Sequence, residues 1–372
     1  MKVSGIPAAI GTTNLLIHGE NVAALSALLE RSSVRGRVRL VYIDPPFSTR
    51  QDFTIGARRV STISRSRNER LAYRDTLSGE EYLEFLRHRL VLLRELLADD
   101  GSIYVHIDDK VGHYVKILLD DIFGAANFRN DITRIKCNPK NFSRKGFGNI
   151  KDRIFFYTKT SRFVWNEPSE SMDPDDVARL FPKTDRRGRR YTTTPLHAPG
   201  ETQRGATGGA WKGIMPPAGR HWRVSPKELS RLDTMRLIEW SRTGNPRKKI
   251  YADEIAARGK KVQDVWEMKD PPYPAYPTQK NIDLLKRIIA ASSHPGDLVL
   301  DCFAGSGTTL VAAEMLGRHW IGIDESSHAV RVVRKRLREL ENSAGYVVWS
   351  CAGATANAKR RSTASLHLLH RR

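Results

Sequence analysis

Two short runs in this sequence bring together residue types that do chemistry. The first is Asp301-Cys302-Phe303-Ala304-Gly305-Ser306-Gly307-Thr308-Thr309, where an apolar stretch of strand length gives way to a helical pattern. Glycine at such a turn lets the backbone approach a ligand, and the start of the following helix offers unpaired N–H groups. No lysine follows the second glycine, so the run is not a phosphate-binding P-loop. Leu310 stands where a dinucleotide fingerprint wants its third glycine. Further on, the apolar Trp320–Ile323 ends in Asp324, placed to accept a ribose hydroxyl. These features predict a cofactor that contains a nucleoside and leave its identity open.

The second run, Asp44-Pro45-Pro46-Phe47, closes the apolar stretch Val38–Ile43. Two prolines stiffen the turn and remove two N–H donors, leaving carbonyl oxygens as the polar groups of the backbone. The Asp44 carboxylate and the Pro45 carbonyl can then accept both hydrogens of one amino group, while Phe47 offers a flat face for a base. Asp-Pro-Pro is also ordinary turn chemistry. Its pairing with the glycine run in one α/β pattern favours the chemical reading.

The elements that must position these runs follow from periodicity. Strands are expected at 14–18, 38–43, 102–107, 131–136, 152–158, 298–302 and 320–323. Helices are expected at 22–30, 79–98, 110–123, 282–291, 309–316 and about 327–341. This alternation predicts an α/β fold with a mostly parallel sheet covered by helices on both faces. A polar, Arg-rich loop spans about 50–75. Between 161 and 270 the periodicity fades, and Trp165, Trp211, Trp222, Trp240 and Trp266 all fall there; they read as filler of a small core rather than as base stackers. The expected organisation is one half-domain at 1–160, an insert at 161–270, a second half-domain at 271–345 and a basic, disordered tail at 346–372.

Charge narrows the partners. Among 372 residues, 62 Lys and Arg stand against 41 Asp and Glu, a formal +21 with histidine neutral. Such a field favours polyanions, nucleic acid first. Cations cluster at Arg58, Arg59, Arg65, Arg67 and Arg70, at Lys183, Arg186, Arg187, Arg189 and Arg190, and at Arg247, Lys248 and Lys249. Hydrophobic residues at 40% suffice for a core and argue against a disordered chain. Three cysteines, Cys137, Cys302 and Cys351, form no Cys-x-x-Cys pair, which excludes a disulfide framework and a cysteine-rich zinc site. With no membrane span and no signal peptide, the expected compartment is the cytoplasm.

The two runs, in this order and separated by a basic stretch, resemble the β group of DNA amino-methyltransferases, which includes the modification subunits of type III restriction systems. That family pairs a catalytic D/N/S-P-P-Y/F/W tetrapeptide with a cofactor-binding F-x-G-x-G segment. Further matches are Tyr42–Phe47, Gly101–Asp109 and the segment Tyr276-Pro277-Thr278-Gln279-Lys280 ahead of a helix. The resemblance implies a Rossmann-like, circularly permuted sheet of seven strands with an inserted target-recognition region. It also implies S-adenosylmethionine as cofactor and N6 methylation of adenine in double-stranded DNA by base flipping.

Residue roles follow from the same resemblance. Asp44, Pro45, Pro46 and Phe47 would be catalytic. Asp301, Phe303, Ala304, Gly305, Ser306, Gly307 and Thr308 would hold the cofactor, with Asp324 on its ribose and Glu20 beside its adenine. Thr278, Gln279 and Lys280 would lie over its methionine end. Arg186, Arg187, Arg189, Arg190, Arg204, Arg220, Arg223 and Lys248 would contact DNA. A homodimer, a companion restriction enzyme and association with the nucleoid are further implied, and no metal. His106-Ile107-Asp108-Asp109, which suggests a metal site in isolation, becomes a sheet-edge segment. Two positions depart from the family pattern: Phe47 replaces the commoner tyrosine, and Asn281 replaces a proline after Gln-Lys.

Alternatives remain at this level. An N4-cytosine enzyme differs only in target base, since aspartate at the first tetrapeptide position favours adenine and serine favours cytosine. A protein-glutamine or RNA methyltransferase would more commonly carry asparagine there. A catalytically silent DNA-binding protein would not need an intact Asp44 and both glycines. An NAD-dependent oxidoreductase would leave Asp-Pro-Pro-Phe and the charge unexplained.

Overall fold

The apolar stretches that end in Asp44 and Asp301 lie side by side at the centre of a nine-stranded sheet. The computed structural model describes residues 13–46, 79–139, 143, 145–202, 205–256, 258–272, 274, 279–341 and 344–350, and the backbone of 52–55, 60–61 and 70–74.

In chain order the strands of this sheet are β1 (Asn14–His18), β2 (Val38–Ile43), β3 (Leu97–Ile107), β4 (Phe128–Ile135), β5 (Lys151–Thr158), β6 (Val265–Glu267), β7 (Leu298–Asp301), β8 (His319–Asp324) and β9 (Tyr346–Ser350). Their spatial order is β6-β4-β5-β3-β2-β7-β8-β1-β9. Every pairing is parallel except those of β5, which runs against both β3 and β4. The central strand β7 arrives late in the chain yet pairs with β2, which is the permuted connectivity the motif order implies. Seven strands were expected; β6 and β9 extend the sheet by one strand at each edge.

The helices of this unit are α1 (Asn21–Leu29), α2 (Glu80–Leu96), α3 (Gly112–Phe123), α4 (Ile282–Ser292), α5 (Thr308–Met315) and α6 (Ser327–Arg338). Leu86, Leu90, Leu93 and Leu96 recur at helical spacing on α2 and are fully buried with Ile103 and Val105 of β3. Tyr104, between those two strand residues, turns to the other face, where its hydroxyl lies 2.8 Å from Ser292 Oγ on α4. The α2 and α4 sides therefore cover opposite faces of the sheet. Helix α5 is buried from Thr308 through Ala313, apolar nearly all round because it is enclosed on all sides. No helix among the described residues is long and apolar enough to cross a membrane.

Residues 168–262 cluster as a second unit. It contains a four-stranded antiparallel sheet of Lys183–Thr184, Arg190–Pro195, Pro246–Tyr251 and Ile238–Trp240, in that spatial order, and a helix at Pro226–Thr234. Ser225 caps that helix by accepting from Glu228 N, and Pro226 sits at its first position. Leu196, Trp211, Trp222, Leu229, Leu232 and Ile238 form its small core.

Several sequence expectations are corrected. The insert, expected at 161–270, is a unit of 168–262, because Val265–Glu267 pairs with β4 and Trp266 is buried against the main sheet. The tail does not begin at 346: Tyr346–Ser350 pairs along the whole of β1. Within the Arg-rich loop, Asp52–Ile55 pairs antiparallel with Val60–Ser61 and Arg70–Arg74. The Gly101–Asp109 segment is no sheet edge, since β3 is interior, between β2 and β5, with His106 fully buried. Of the tryptophans, Trp211, Trp222 and Trp266 are buried, whereas Trp240 is exposed and stacks on Trp211 with ring centroids 5.6 Å apart.

Candidate active site

Strands β2 and β7 are parallel neighbours, with Val41 opposite Leu300, so Asp44 and Asp301 emerge together at their carboxyl ends. From β7 the chain crosses to β8 on one side, while β2 is flanked by β3 on the other. Such a switch in strand direction opens a crevice at the carboxyl ends of the strands, where open α/β sheets bind ligands.

At β7 the glycine turn is built by backbone conformation and buried acids. Gly305 and Gly307 have φ of +50° and +73°, in the left-handed region that glycine enters at little cost. A Cβ on Gly307 would stand 2.7 Å from Val333 Cγ2, so α6 also demands glycine there. Asp301 is fully buried and accepts from Thr309 Oγ1 at 2.6 Å and from Phe303 N at 2.9 Å. Burial pushes its carboxyl up to about 7 despite these donors, and the charge of Asp44 adds to the rise. Asp324, at the end of β8, accepts from Gly305 N at 2.7 Å and from Ser326 N at 2.8 Å; burial raises it to about 6. Ala304 is tied through its N–H to Ile323 O, and Phe303 packs 6.1 Å from Phe85.

The side chains of Ser306 and Thr308 are buried, and Arg336 of α6 donates to Ser306 O at 2.8 Å, Thr308 Oγ1 at 2.9 Å and Ser306 Oγ at 3.2 Å. These bonds hold the loop to α6. Glu20 caps α1, accepting from Ala23 N at 2.8 Å and from Arg89 Nη2 at 2.8 Å. Arg89 also donates to Asn21 Oδ1, and Asn21 donates to Cys302 O at 3.1 Å, which links α2, α1 and the glycine turn.

At β2, Asp44 pairs through Oδ2 with Lys280 Nζ at 2.5 Å. Among the described residues its other oxygen, Oδ1, is buried with no hydrogen-bond partner. The segment carrying Gln279 and Lys280 enters α4 at Asn281, whose side chain accepts from Asp283 N at 2.8 Å and donates to Lys269 O at 3.0 Å. The departure from proline at 281 thus supplies an N-cap rather than disturbing the helix. Phe47, Thr278 and Arg204 lie outside the described residues.

In the second unit, Arg186, Arg187 and Arg190 are exposed on or beside the hairpin between the first two strands. Arg189 is committed internally: its guanidinium grips Asp253 at 2.8 Å through two nitrogens, reaches Glu254, and lies 3.8 Å over the Tyr251 ring. Arg220 donates toward His197 Nδ1 at 3.2 Å, and Arg223 to the His197 carbonyl at 3.3 Å. Burial and the charges of Arg220, Arg223 and Arg247 lower the pKa of His197, so these three cations share one patch. Lys248 is exposed on the central strand.

Sequence reasoning missed Thr309, Arg336, Arg89 and Asn21. Thr309 sits inside the glycine run and was within reach of it; the arginines carry no local signal, being long-range partners. A second Asp-Pro-Pro-aromatic run at 270–273 also went unnoticed. There Asp270 is held by Arg134 of β4, a buried arginine, and is not the partner of Lys280.

Comparison with known proteins agrees with this geometry. Residues 38–335 match the family described as DNA methylase. Type II methyltransferase M.EcaI of Enterobacter cloacae is 44% identical over 330 residues, covering 87% of this chain and 69% of that protein. The StyLTI Mod subunit of a type III restriction-modification enzyme from Salmonella typhimurium is 25% identical across 82% of this chain and 50% of its own length. The chain thus spans about half the length of that type III relative. The PvuII cytosine-N4-specific DNA methyltransferase shares the fold at a TM-score of 0.50 and 15% identity, covering 90% of this chain and 89% of that one. With a switch-point crevice between a glycine turn and an Asp-Pro-Pro turn, and a family match over most of its length, the chain belongs to the DNA methylase family.

Proposed function

We propose that this protein transfers a methyl group from S-adenosylmethionine to the N6 amino group of adenine in double-stranded DNA. The observation that carries this reading is the buried Asp44 Oδ1 at the carboxyl end of β2, beside the glycine turn of β7, with no hydrogen-bond partner among the described residues. A buried acceptor without a donor costs about 1–3 kcal/mol, and such a cost is expected where a ligand supplies the donor.

The residues present fit the cofactor. Its ribose offers hydroxyl donors to Asp324, its amino group is a cation suited to the buried Asp301, and the glycine turn lets the backbone approach. When bound, S-adenosylmethionine supplies a methyl group already activated by the sulfonium. Asp44 Oδ1 and the Pro45 carbonyl accept the two hydrogens of the target amine and localise its lone pair. With its lone pair so localised, the target nitrogen would take that methyl group and release one proton to solvent. This is catalysis by positioning and electrostatics. The base must leave the duplex stack to reach the turn, at a cost of a few kcal/mol, with Phe47 as its stacking partner.

The second unit supports a target-recognition role through Arg186, Arg187, Arg190, Arg220, Arg223, Arg247 and Lys248. Phosphate contacts would dominate such a set, with base edges read by the few side chains that enter a groove. In this reading the protein works in the cytoplasm on nucleoid DNA, and a companion restriction enzyme cleaves sites left unmodified.

Single-molecule sequencing of DNA from cells that express wild type or Asp44→Ala tests the proposal. N6-methyladenine at one recurring motif, absent with the variant, is the expected result. N4-methylcytosine would overturn the target base, and an unmodified genome alongside cofactor binding by the purified protein would overturn the reaction.

A further inference from the structure

We propose that Lys280 is a positioning residue for methyl transfer: it grips Oδ2 of Asp44 and so presents Oδ1 as an acceptor to the target amino group. This deepens the reading of Asp44 above and rests on it. The family resemblance puts Lys280 over the methionine end of the cofactor. The geometry points instead to the catalytic turn, with Nζ 2.5 Å from Asp44 Oδ2 and side-chain exposures of only 8% and 17%.

A carboxylate accepts at both oxygens, whereas a carboxylic acid donates from one of them and would meet an amino hydrogen with its own. A lysine at Oδ2 therefore fixes the rotation of the carboxylate, so that Oδ1 faces a constant direction.

The backbone around Lys280 is clamped to suit this task. Asn281 caps α4 and bonds to Lys269 O, and Arg134 donates to Met268 O at 2.7 Å, so 268–270 and 280–281 are held together ahead of the helix. Other titratable groups face Asp44 from neighbouring strands: Tyr42 on β2, His106 on β3 and Asp301 on β7. Asp152 on β5 feels the charge of Lys280 through the same cluster. All of these are common to wild type and a Lys280 variant.

The test uses the full chain as wild type, Lys280→Met, Lys280→Gln and Lys280→Arg. Single-turnover methylation of a duplex bearing the modified motif is followed, with S-adenosylmethionine affinity by calorimetry and melting on the same preparations. Loss of the cation should cut the rate about a hundredfold while cofactor affinity stays within about threefold. Lys280→Arg, which keeps the cation, should restore most of the rate. A rate loss matched by an equal loss of cofactor affinity would return Lys280 to the cofactor and overturn the proposal, as would an unchanged rate in whichever neutral variant melts like wild type. If wild type methylates no base, the reading of Asp44 fails instead.

Discussion

The hydroxyl of Tyr42 lies 2.8 Å from Nδ1 of His106, with both side chains buried directly beneath the Asp-Pro-Pro turn. Burial, together with the charge of Asp44, keeps the tyrosine protonated, so its O–H donates and Nδ1 accepts. Burial also lowers the histidine, which is then neutral with its proton on Nε2, 3.1 Å from Asp152 Oδ2. Burial works against the charge on Asp152, yet the bond from His106 and the charges of Lys280 and Lys136 hold it well below the ordinary carboxylate range. Lys136 reaches Oδ1 at 2.6 Å and Arg134 reaches Oδ2 at 3.3 Å. Strand β2 is thus anchored across β3 to β5 by a chain of polar contacts.

Removing the first link should be felt in stability before it is felt in ligand binding. Tyr42→Phe is expected to cost about 1–3 kcal/mol, since it deletes a buried donor to an imidazole and fills the same volume. Denaturant unfolding measures this. A loss below a few tenths of a kcal/mol would mean the chain of contacts contributes no rigidity.

Gly307→Ala combines two penalties, a positive φ of +73° and a Cβ placed 2.7 Å from Val333. The backbone part alone costs about 1–2 kcal/mol. Cofactor affinity should fall more than about tenfold, because the turn must shift to relieve the contact. Adding Val333→Ala should recover part of the affinity by removing the clash and leave the backbone penalty. Calorimetric titration of both variants separates the two.

Asp301 and Asp324 give stability a pH dependence whose sign is fixed by their raised values of about 7 and about 6. Between the ordinary carboxylate range and these values the folded chain binds more protons than the unfolded chain. Each group's contribution therefore falls as pH rises through that window. Asp301→Asn should gain on wild type as pH goes from 5 to 8, measured by unfolding midpoints at both. If Asp301 meets the cofactor's amino group as proposed above, the same variant should bind S-adenosylmethionine more weakly, measured by calorimetry. An equal difference in stability at the two pH values would show that Asp301 does not titrate there.

Trp222 fills the small core of the second unit, is fully buried, and donates its indole N–H to Gly209 O at 2.9 Å. Trp222→Ala should cost about 3–5 kcal/mol locally, because so small a cluster has little means of collapsing on the cavity. Limited proteolysis should then cut within 168–262, while S-adenosylmethionine affinity stays within about threefold of wild type. Parallel loss of both would mean that the units do not fold independently.

Strand-forming apolar runs, the glycine turn and Asp44-Pro45-Pro46 were legible in the sequence because each is a local signal. Hydrophobic stretches of strand length, prolines after an acid and glycines at a strand end keep their meaning in any context. Their order along the chain carried the family resemblance that implied a permuted sheet, and the structure pairs β2 with β7. What only the tertiary structure decided are the partners of those residues. Lys280 meets Asp44, Arg336 meets Ser306 and Thr308, and Arg89 meets Glu20 through long side chains whose targets are set by packing, not by spacing in sequence. Of the two Asp-Pro-Pro runs, identical in composition over three residues, a buried arginine claims Asp270 and a buried lysine claims Asp44. The edge strands β6 and β9 were likewise decided by tertiary pairing: β4 supplies the hydrogen bonds that order Val265–Glu267, and β1 those that order Tyr346–Ser350.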